Sequence, residues 1–278
     1  MRTKRYKRAL IWLCVLVVSF FILWPVYWIV KSSFTTSDRL YAMPVQYFPI
    51  DLTLESYRTL FSATGNVFKY ISDTLILIAS ALILSTFLCA IAGYAFARTK
   101  TRGIRAAFSF VLFSTMVPGT VAVIPLMVLW RAMRLTDTMQ GLAVLYFSAV
   151  IPFSVTMFST FISQLPNSLE EAAWIDGTGV MGAFFRIIFP LLKPIVATLC
   201  IINFITCINE FFYPLIFTTK NIKVLSMLIF NVPRNNQWQE PWDTISASGC
   251  IMVLPTILFI LFFEKNILEG LSMGSIKQ

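Results

Sequence analysis

Two neighbouring carboxylates, Glu170 and Glu171, lie in a stretch from Leu165 to Pro194 that separates two strongly apolar runs. Ala172 and Ala173 follow them, and side chains of this size let another protein approach the backbone closely. A carboxylate beside such a surface suits recognition of a partner protein, with the carboxylate as the polar anchor. Because each flanking run is long enough as a helix to cross a bilayer, the stretch must lie at a membrane surface.

The residues around these carboxylates predict a short helix followed by a bend. Ser168 and Glu171 have the spacing of a capping box, in which each side chain accepts a hydrogen bond from an otherwise unpaired backbone N–H. A helix from residue 169 to residue 176 should follow, with both carboxylates near the positive end of its dipole. Gly177 tolerates a positive φ, so it predicts the end of this helix.

The chain from Asp176 onward should form the bend and a second helix. A carboxylate is unfavourable at the negative end of a helix dipole. We therefore expect Asp176 to hold the bend by accepting from the N–H of Thr178 or Gly179, as an Asx turn. A second, more apolar helix should run from residue 179 to residue 189 and end before Pro190.

This stretch closely resembles the EAA loop of the membrane subunits of ABC importers. The positions that match the family pattern are Glu171, Ala172, Ala173, Gly177, Ile187 and Pro190. Phe189 replaces the Leu of that pattern and keeps its apolar bulk. In the family the loop, residues 165–190 here, is a coupling helix that docks into a groove on a cytoplasmic ATPase. The resemblance implies ATPase-coupling roles for Glu170, Glu171, Ala172, Ala173, Asp176 and Gly177. An amphipathic re-entrant loop without an ATPase partner is the alternative.

The composition is that of an integral membrane protein. Hydrophobic residues make up 58% of the sequence, and charged residues make up 13%, about half the charged share of soluble domains. The mean hydropathy is +0.78. Membrane topology explains the net charge of +9, so this charge does not indicate a nucleic-acid partner.

Histidine and cysteine usage excludes several kinds of site. The chain has no histidine, which removes the commonest metal ligand and the commonest general base. Metalloenzyme and His-dependent hydrolase functions are therefore excluded. All five cysteines lie within apolar runs and form no CxxC pair, so we expect them to be buried thiols.

The apolar runs predict an all-α polytopic membrane protein, with residues 1–278 forming a single permease domain. Its six predicted transmembrane helices are about residues 9–30, 70–97, 106–129, 142–162, 191–217 and 245–263. The resemblance implies that these six helices, together with a cytoplasmic coupling helix, form the transmembrane domain of a type I ABC importer. The segment from Leu52 to Phe61 predicts a further short helix before the second span.

Proline interrupts the third predicted span at Pro118-Gly119 and at Pro125. Such breaks are tolerated in a membrane only where neighbouring groups or a water-filled cavity satisfy the freed backbone groups. The span is therefore either a pathway-lining or moving helix, or a helix with a packing kink and no role in transport.

The distribution of Lys and Arg predicts the orientation in the membrane. Six spans put both termini on one side, and that side carries the basic N-terminal segment and the basic residues after the second span. These last are Arg98, Lys100, Arg102 and Arg105. The positive-inside rule therefore places both termini and the coupling stretch in the cytoplasm. We expect a multi-pass protein of a bacterial or archaeal cytoplasmic membrane.

Four polar residues lie within the fifth predicted span: Asn203, Thr206, Asn209 and Glu210. An ionisable group at membrane depth is costly and is a candidate functional site by default. Asn203, Thr206 and Glu210 have the spacing of one helical face. We expect the four residues to line the substrate pathway. Alternatively, Asn209 and Glu210 only pair with a partner subunit.

Other segments resemble the carbohydrate-uptake branch of the family, and within it the second permease subunit of maltose-type importers. AGYAFARTKTRG, at the end of the second span, is similar to a family segment. INEFFYPL is similar to another, although Ile208 replaces a Trp that could stack on a sugar. The C-terminal residues that match the family are Gly270, Leu271, Gly274 and Lys277. For that tail the family implies a docking or regulatory role; a frayed terminus is the alternative.

The resemblance implies a transport subunit rather than an enzyme. The chain has no phosphate-binding Gly-x-x-x-x-Gly-Lys-Ser/Thr loop, so we expect no cofactor in this chain and ATP with Mg bound by separate subunits. The implied partners are a homologous permease, two ATPase subunits, an extracytoplasmic solute-binding protein and membrane lipid. The family branch implies a sugar substrate, favouring a di- or oligosaccharide; polyols, glycerol phosphate esters and glycosides are the alternatives.

Two other functional classes would require features of their own. A secondary transporter or channel without an ATPase should show inverted repeats or paired acidic residues deep in the bundle, and the sequence shows neither. A membrane enzyme would need a matched acid and base or a metal cluster, and the spans offer none.

Overall fold

The computed structural model describes the backbone of residues 2–63, 66–117, 119–234 and 239–275. Within these ranges it describes the side chains of residues 6 to 263, except those of residues 63 and 120. The described chain is helical and contains no strand. It forms two compact units, Met1–Phe68 with Leu228–Pro255, and Lys69–Met227 with Thr256–Gln278. The all-α fold predicted from the apolar runs is confirmed.

The α-helices, in chain order, are α1 (Arg2–Ser33), α2 (Ser37–Leu40), α3 (Glu55–Ala63), α4 (Val67–Leu84), α5 (Ala90–Arg98), α6 (Arg102–Ser114), α7 (Gly119–Ala132), α8 (Met139–Ser163), α9 (Ser168–Ile175), α10 (Val180–Ala183), α11 (Phe189–Leu191), α12 (Lys193–Ile208), α13 (Phe212–Phe217) and α14 (Trp242–Ser275). Ser85–Cys89 and Phe184–Ile188 have π-helical hydrogen bonding, and Leu225–Asn231 forms a 3-10 helix.

In the first unit, hydrogen bonds tie the start of α14 to the segments around α2 and α3. The Asp243 carboxylate accepts from the hydroxyls of Ser37 (2.6 Å) and Ser56 (3.2 Å). Asp243 also lies in the first turn of α14, where a negative charge is favourable. The α3 helix overlaps the short helix predicted from the segment before the second span, so that prediction is confirmed.

The α1 helix exposes its apolar side chains along most of its length. Cys14 is exposed with them, so the prediction that all cysteines are buried is wrong for this residue. The reason is that within its own unit no neighbouring helix covers the apolar part of α1 in the described chain. Cys89 and Cys207 are buried as expected, while Cys200 and Cys250 are partly buried.

In the second unit, α8 packs against α5 with almost no space between the two backbones. A Cβ atom at Gly93 of α5 would lie 2.6 Å from the Cβ of Phe158 and 2.9 Å from the backbone nitrogen of Ser159. A glycine is therefore required at this crossing, since larger residues would force the helices apart. The apolar core continues on both sides of the contact, with Phe184 and Ile162 fully buried beside it.

Four described helical segments are long and apolar enough to cross a membrane, and a bent pair raises the number to five. The four are Tyr6–Ser33, Val67–Arg98, Met139–Ser163 and Trp242–Phe263. They correspond to the first, second, fourth and sixth predicted spans. The bent pair is Val180–Leu191 with Lys193–Ile208, and its second helix corresponds to most of the fifth predicted span.

The third predicted span consists of two shorter helices, α6 and α7, joined by a turn at Thr115 to Val117. Pro118 lies outside the described residues. The interruption predicted at Pro125 is wrong, because α7 continues through it from Gly119 to Ala132. A proline inside a helix removes one backbone hydrogen bond, and α7 tolerates that loss.

The fifth predicted span is broken near its C-terminal end. The α12 helix ends at Ile208, and α13 begins at Phe212. Pro214 has no N–H to donate to the carbonyl of Glu210, so a continuous helix would lose a bond at this point.

For the C-terminal tail, Gly270, Leu271 and Gly274 fall in α14 with side chains outside the described set, and Lys277 lies outside the described residues.

Candidate functional site

The α9 helix carries the two carboxylates, and it begins one residue earlier than predicted. Its first residue is Ser168, preceded by Asn167 in helical conformation without a side-chain cap. The N–H groups of Glu170 and Glu171 donate to the Asn167 carbonyl at 3.0 and 3.1 Å. The predicted capping box is therefore wrong, because Ser168 lies inside the helix instead of in the extended conformation that a capping residue adopts.

The end of α9 is a Schellman motif built on Gly177. The N–H of Thr178 donates to the Ala173 carbonyl (2.9 Å), and the N–H of Gly177 donates to the Trp174 carbonyl (3.1 Å). Gly177 has a φ of 82°, as the predicted helix end requires. The bend predicted at this residue is thus present.

Asp176 does not hold this bend. Its side chain is exposed, the N–H of Thr178 is bonded to the Ala173 carbonyl, and within the described loop no hydrogen bond joins the N–H of Gly179 to the Asp176 carboxylate. The predicted Asx turn is wrong, because backbone carbonyls of α9 satisfy the turn without a carboxylate.

The two carboxylates of α9 occupy opposite environments. Glu171 is exposed, whereas Glu170 retains only 2% of its accessible surface. Oε1 of Glu170 accepts from Nε of Arg98 at 2.8 Å, and its Oε2 accepts from the Tyr94 hydroxyl at 2.9 Å. Arg98 and Tyr94 belong to the last turns of α5, so α9 is anchored to the end of the second predicted span.

The same end of α5 contacts the loop on both sides of α9. Arg98 also donates through its terminal nitrogen to the carbonyl of Leu165, over 3.0 Å. The Tyr94 ring lies 5.1 Å from the Phe184 ring, between ring centroids. Phe184 is in the helical segment that follows the bend, and its side chain is fully buried. The loop is therefore held to α5 at its beginning, at α9 and after the bend.

The two alanines of the motif also lie on different faces. Ala173 is buried at 4% exposure and faces the rest of the unit, while Ala172 is exposed beside Glu171. Ile175 is 86% exposed and Trp174 is 46% exposed. The outer face of α9 thus combines one carboxylate, one small residue and two large apolar side chains, a composition typical of an interaction surface.

The four polar residues predicted for the substrate pathway do not form one surface. Asn203 is buried at 2% exposure, and its amide nitrogen donates to the hydroxyls of Ser154 (2.9 Å) and Ser85 (3.2 Å). Thr206 is exposed and donates to the carbonyl of Ile202 in its own helix. Asn203 therefore joins helices within the bundle, and Thr206 faces outward.

Asn209 and Glu210 lie at the break between α12 and α13. Asn209 is exposed and donates to the Ile205 carbonyl at 2.8 Å. Oε1 of Glu210 accepts from the N–H groups of Phe212 (2.9 Å) and Tyr213 (3.0 Å). Glu210 thus caps α13, and because α12 has ended before it, the prediction that it shares a helical face with Asn203 and Thr206 is wrong.

Sequence reasoning missed a second acidic residue that organises a loop. Asp137 accepts from the N–H groups of Thr219, Lys220, Asn221 and Ile222, and from the Thr219 hydroxyl at 2.7 Å. Partial burial would raise the pKa of this carboxyl, but the hydrogen bonds outweigh it and hold the pKa well below its usual range. Its φ of 57° marks an unusual conformation that sequence alone did not indicate.

Asp73 is a further acidic residue that the sequence left unassigned. Its carboxylate accepts from the Lys69 ammonium (2.9 Å) and from the backbone N–H of Lys223 (3.0 Å). The spacing of Lys69 and Asp73 is a recognisable helical ion pair, so this part of the contact could have been found from sequence.

Comparison with known proteins agrees with this geometry. Residues 88–269 match the family described as the inner membrane component of binding-protein-dependent transport systems. The chain belongs to this family. It is accordingly a permease subunit of an ABC importer, as the resemblance of the coupling stretch implied.

Similar proteins match the permease over nearly its full length. It is 31% identical to the trehalose transport system permease protein SugB of Mycobacterium tuberculosis, covering 98% of each chain. It is 27% identical to the diacetylchitobiose uptake system permease protein DasC of Streptomyces coelicolor, covering 98% of this chain and 99% of the other. It is 28% identical to the trehalose/maltose transport system permease protein MalG of Thermococcus litoralis, covering 100% and 99%.

The fold of the permease is also that of a solved ABC transporter chain. The crystal structure of a bacterial ABC transporter involved in the import of the acidic polysaccharide alginate superposes with a TM-score of 0.79. The match has 19% sequence identity and covers 95% of this chain and 98% of the other. At this identity the likeness establishes the shared fold.

Proposed function

We propose that this permease forms half of the translocation pathway of a sugar importer, with a di- or oligosaccharide as its substrate. The support is that several relatives are named for trehalose, diacetylchitobiose and trehalose/maltose transport. A further relative, AraQ of Bacillus subtilis, is named for arabinooligosaccharides. These solutes share glycosidically linked sugar units.

The proposed assembly contains a homologous permease, two ATPase subunits that bind ATP and Mg, and an extracytoplasmic solute-binding protein. A second alginate transporter structure, described as a complex with a pentasaccharide-bound periplasmic protein, has the same fold at a TM-score of 0.65. We place both termini and α9 in the cytoplasm, on the basis of the concentration of basic residues on that side. The protein would thus reside in a bacterial or archaeal cytoplasmic membrane.

The observation that carries the coupling role is the outer face of α9. Glu171 and Ala172 are exposed there, next to Trp174 and Ile175. In the proposed complex, Glu171 is the polar anchor in the ATPase groove, and Ala172 allows close approach. Gly177 supplies the bend that directs the chain back to the bundle.

Copurification tests the assembly. Tagged wild-type protein, extracted from its native membrane in mild detergent, should bring down a homologous permease and a protein with a nucleotide-binding loop. Ala172→Trp should abolish recovery of the nucleotide-binding protein, because the added ring blocks the docking face. Gln164→Trp adds the same ring at an exposed position just outside the loop and should leave recovery unchanged. Recovery of no nucleotide-binding protein with the wild type would contradict the proposal.

Sugar binding tests the substrate class. The solute-binding protein that associates with the complex should bind trehalose, maltose or diacetylchitobiose, measured by calorimetry, and should discriminate among them. Binding of an amino acid or an inorganic anion, with no binding to any sugar of the panel, would overturn the carbohydrate assignment.

A further inference from the structure

The last turns of α5 contact three successive parts of the coupling stretch. Arg98 binds the Leu165 carbonyl and the Glu170 carboxylate, at 3.0 and 2.8 Å. Tyr94 binds Glu170 through its hydroxyl and lies against the Phe184 ring. Movement of α9 relative to α5 would therefore break contacts on both sides of α9 as well as at the helix itself.

Burial makes these contacts costly to break on one side. The Glu170 side chain is 3% exposed and the Arg98 side chain is 15% exposed. A buried carboxylate that loses its partner remains uncompensated, which is strongly destabilising, whereas exposed ion pairs contribute little. Both carboxylate oxygens of Glu170 accept hydrogen bonds from residues of α5, so this carboxylate has its partners inside the subunit.

The end of α5 is also fixed to the membrane-spanning part of the unit. Five residues before Arg98, Gly93 allows α5 to pack against the backbone of α8 at Phe158 and Ser159. The contact leaves no space for sliding toward α8. A displacement received at α9 would therefore pass through α5 to α8 instead of being absorbed between them.

We propose that Glu170, with Arg98 and Tyr94, is a positioning cluster that makes the end of the second span the element that receives the motion of α9. This inference rests on the proposed function, since it requires an ATPase that moves α9. It assigns different roles to adjacent carboxylates. Glu171 binds the ATPase, whereas Glu170 transmits the movement of α9 to α5 without contacting the ATPase.

The test compares Glu170→Gln with Glu171→Gln in the complete complex reconstituted in liposomes. Three quantities are measured: recovery of the ATPase subunits, ATP hydrolysis, and solute uptake per ATP hydrolysed. Glu170→Gln should retain the ATPase and lower uptake per ATP by about tenfold or more, because the Arg98 charge loses its buried counter-charge. Glu171→Gln should weaken ATPase recovery, with normal uptake per ATP in the complexes that remain.

Equal effects of the two substitutions, or normal uptake per ATP with Glu170→Gln, would overturn the inference. If the Glu170→Gln complex cannot be recovered, Tyr94→Phe decides. This change keeps the ring against Phe184 and removes one hydrogen bond to Glu170. Lower uptake per ATP with normal ATPase recovery supports the cluster, and wild-type coupling refutes it.

Failure of the proposed function would look different. In that case wild-type protein itself would show no associated ATPase or no ATP-dependent uptake. A wild-type complex with ATP-driven uptake, in which Glu170→Gln has no effect on uptake per ATP, would refute the role of Glu170 alone.

Discussion

The side-chain amide of Asn203 donates a hydrogen bond to the Ser154 hydroxyl over 2.9 Å, joining α12 to α8 inside the bundle. The same nitrogen donates to Ser85 in the π-helical segment between α4 and α5. Three separate parts of the second unit thus meet at one buried polar residue. Since its polar atoms are engaged inside the protein, Asn203 serves packing, whereas the side chains of Thr206 and Asn209 are exposed.

Asn203→Ala should destabilise the protein by about 1–3 kcal/mol, because it leaves buried hydroxyls without their amide partner. Sugar preference in uptake competition should be unchanged. Thr206→Ala, on the same helix but exposed, is the control and should change stability by less than about 0.5 kcal/mol. Thermal unfolding in detergent and uptake competition together provide the measurement. Altered sugar preference without loss of stability in Asn203→Ala would return this residue to the substrate pathway.

Gly177→Ala should open the end of α9, because its φ of 82° costs about 1–2 kcal/mol for a residue with a Cβ atom. Gly179→Ala is the matched control, since its φ is −72° and a Cβ atom there meets nothing within 4 Å. Hydrogen exchange at the Thr178 amide, which bonds the Ala173 carbonyl, should accelerate only in Gly177→Ala.

A stronger change at the same position tests coupling. Gly177→Pro should leave the protein inserted in the membrane but uncouple ATP hydrolysis from uptake, since proline fixes φ near −65°. Uptake and hydrolysis by the reconstituted complex provide the measurement. Normal uptake by this variant would show that the bend is not needed for coupling.

Asp137→Asn should destabilise the protein in a pH-dependent way. The pKa of Asp137 is lower in the folded protein than in the unfolded chain, so its ionised form stabilises the fold. This contribution is complete above the unfolded pKa of about 4 and is lost as the pH falls toward the folded value. The difference in melting temperature between wild type and variant should therefore be largest near neutral pH and shrink below about pH 4.

A carboxylate removed elsewhere provides the control for this pH dependence. Asp38 is exposed in the first turn of α2, and Asp38→Asn should not reproduce the pattern. A melting-temperature difference for Asp137→Asn that stays constant from pH 7 to about pH 3 would contradict a role for the ionised group.

The sequence was sufficient to locate elements whose apolar pattern is uninterrupted. The fourth predicted span, residues 142–162, lies within α8 from Met139 to Ser163. The helix predicted over residues 169–176 is α9, shifted by one residue. Hydropathy determines such elements locally, and Gly177 marks the end of α9 because few other residues adopt its conformation.

The break in the fifth span and the long-range partners were not accessible in the same way. The break between α12 and α13 depends on Pro214 and on capping by Glu210, and a hydropathy pattern reports neither effect. The Arg98–Glu170 pair joins residues 72 positions apart, which no periodic pattern reveals. Two adjacent glutamates look equivalent in sequence, and only the packing of α9 on α5 distinguishes them.

The central claim is that this permease performs transport only when an ATPase acts on α9. Uptake of labelled sugar should be measured in proteoliposomes with enclosed ATP, containing the two permeases with or without the ATPase subunits. The account predicts uptake in the complete complex and none above the lipid background when the ATPase is omitted. Sugar uptake by the permeases alone, at a rate near that of the complete complex, would contradict it.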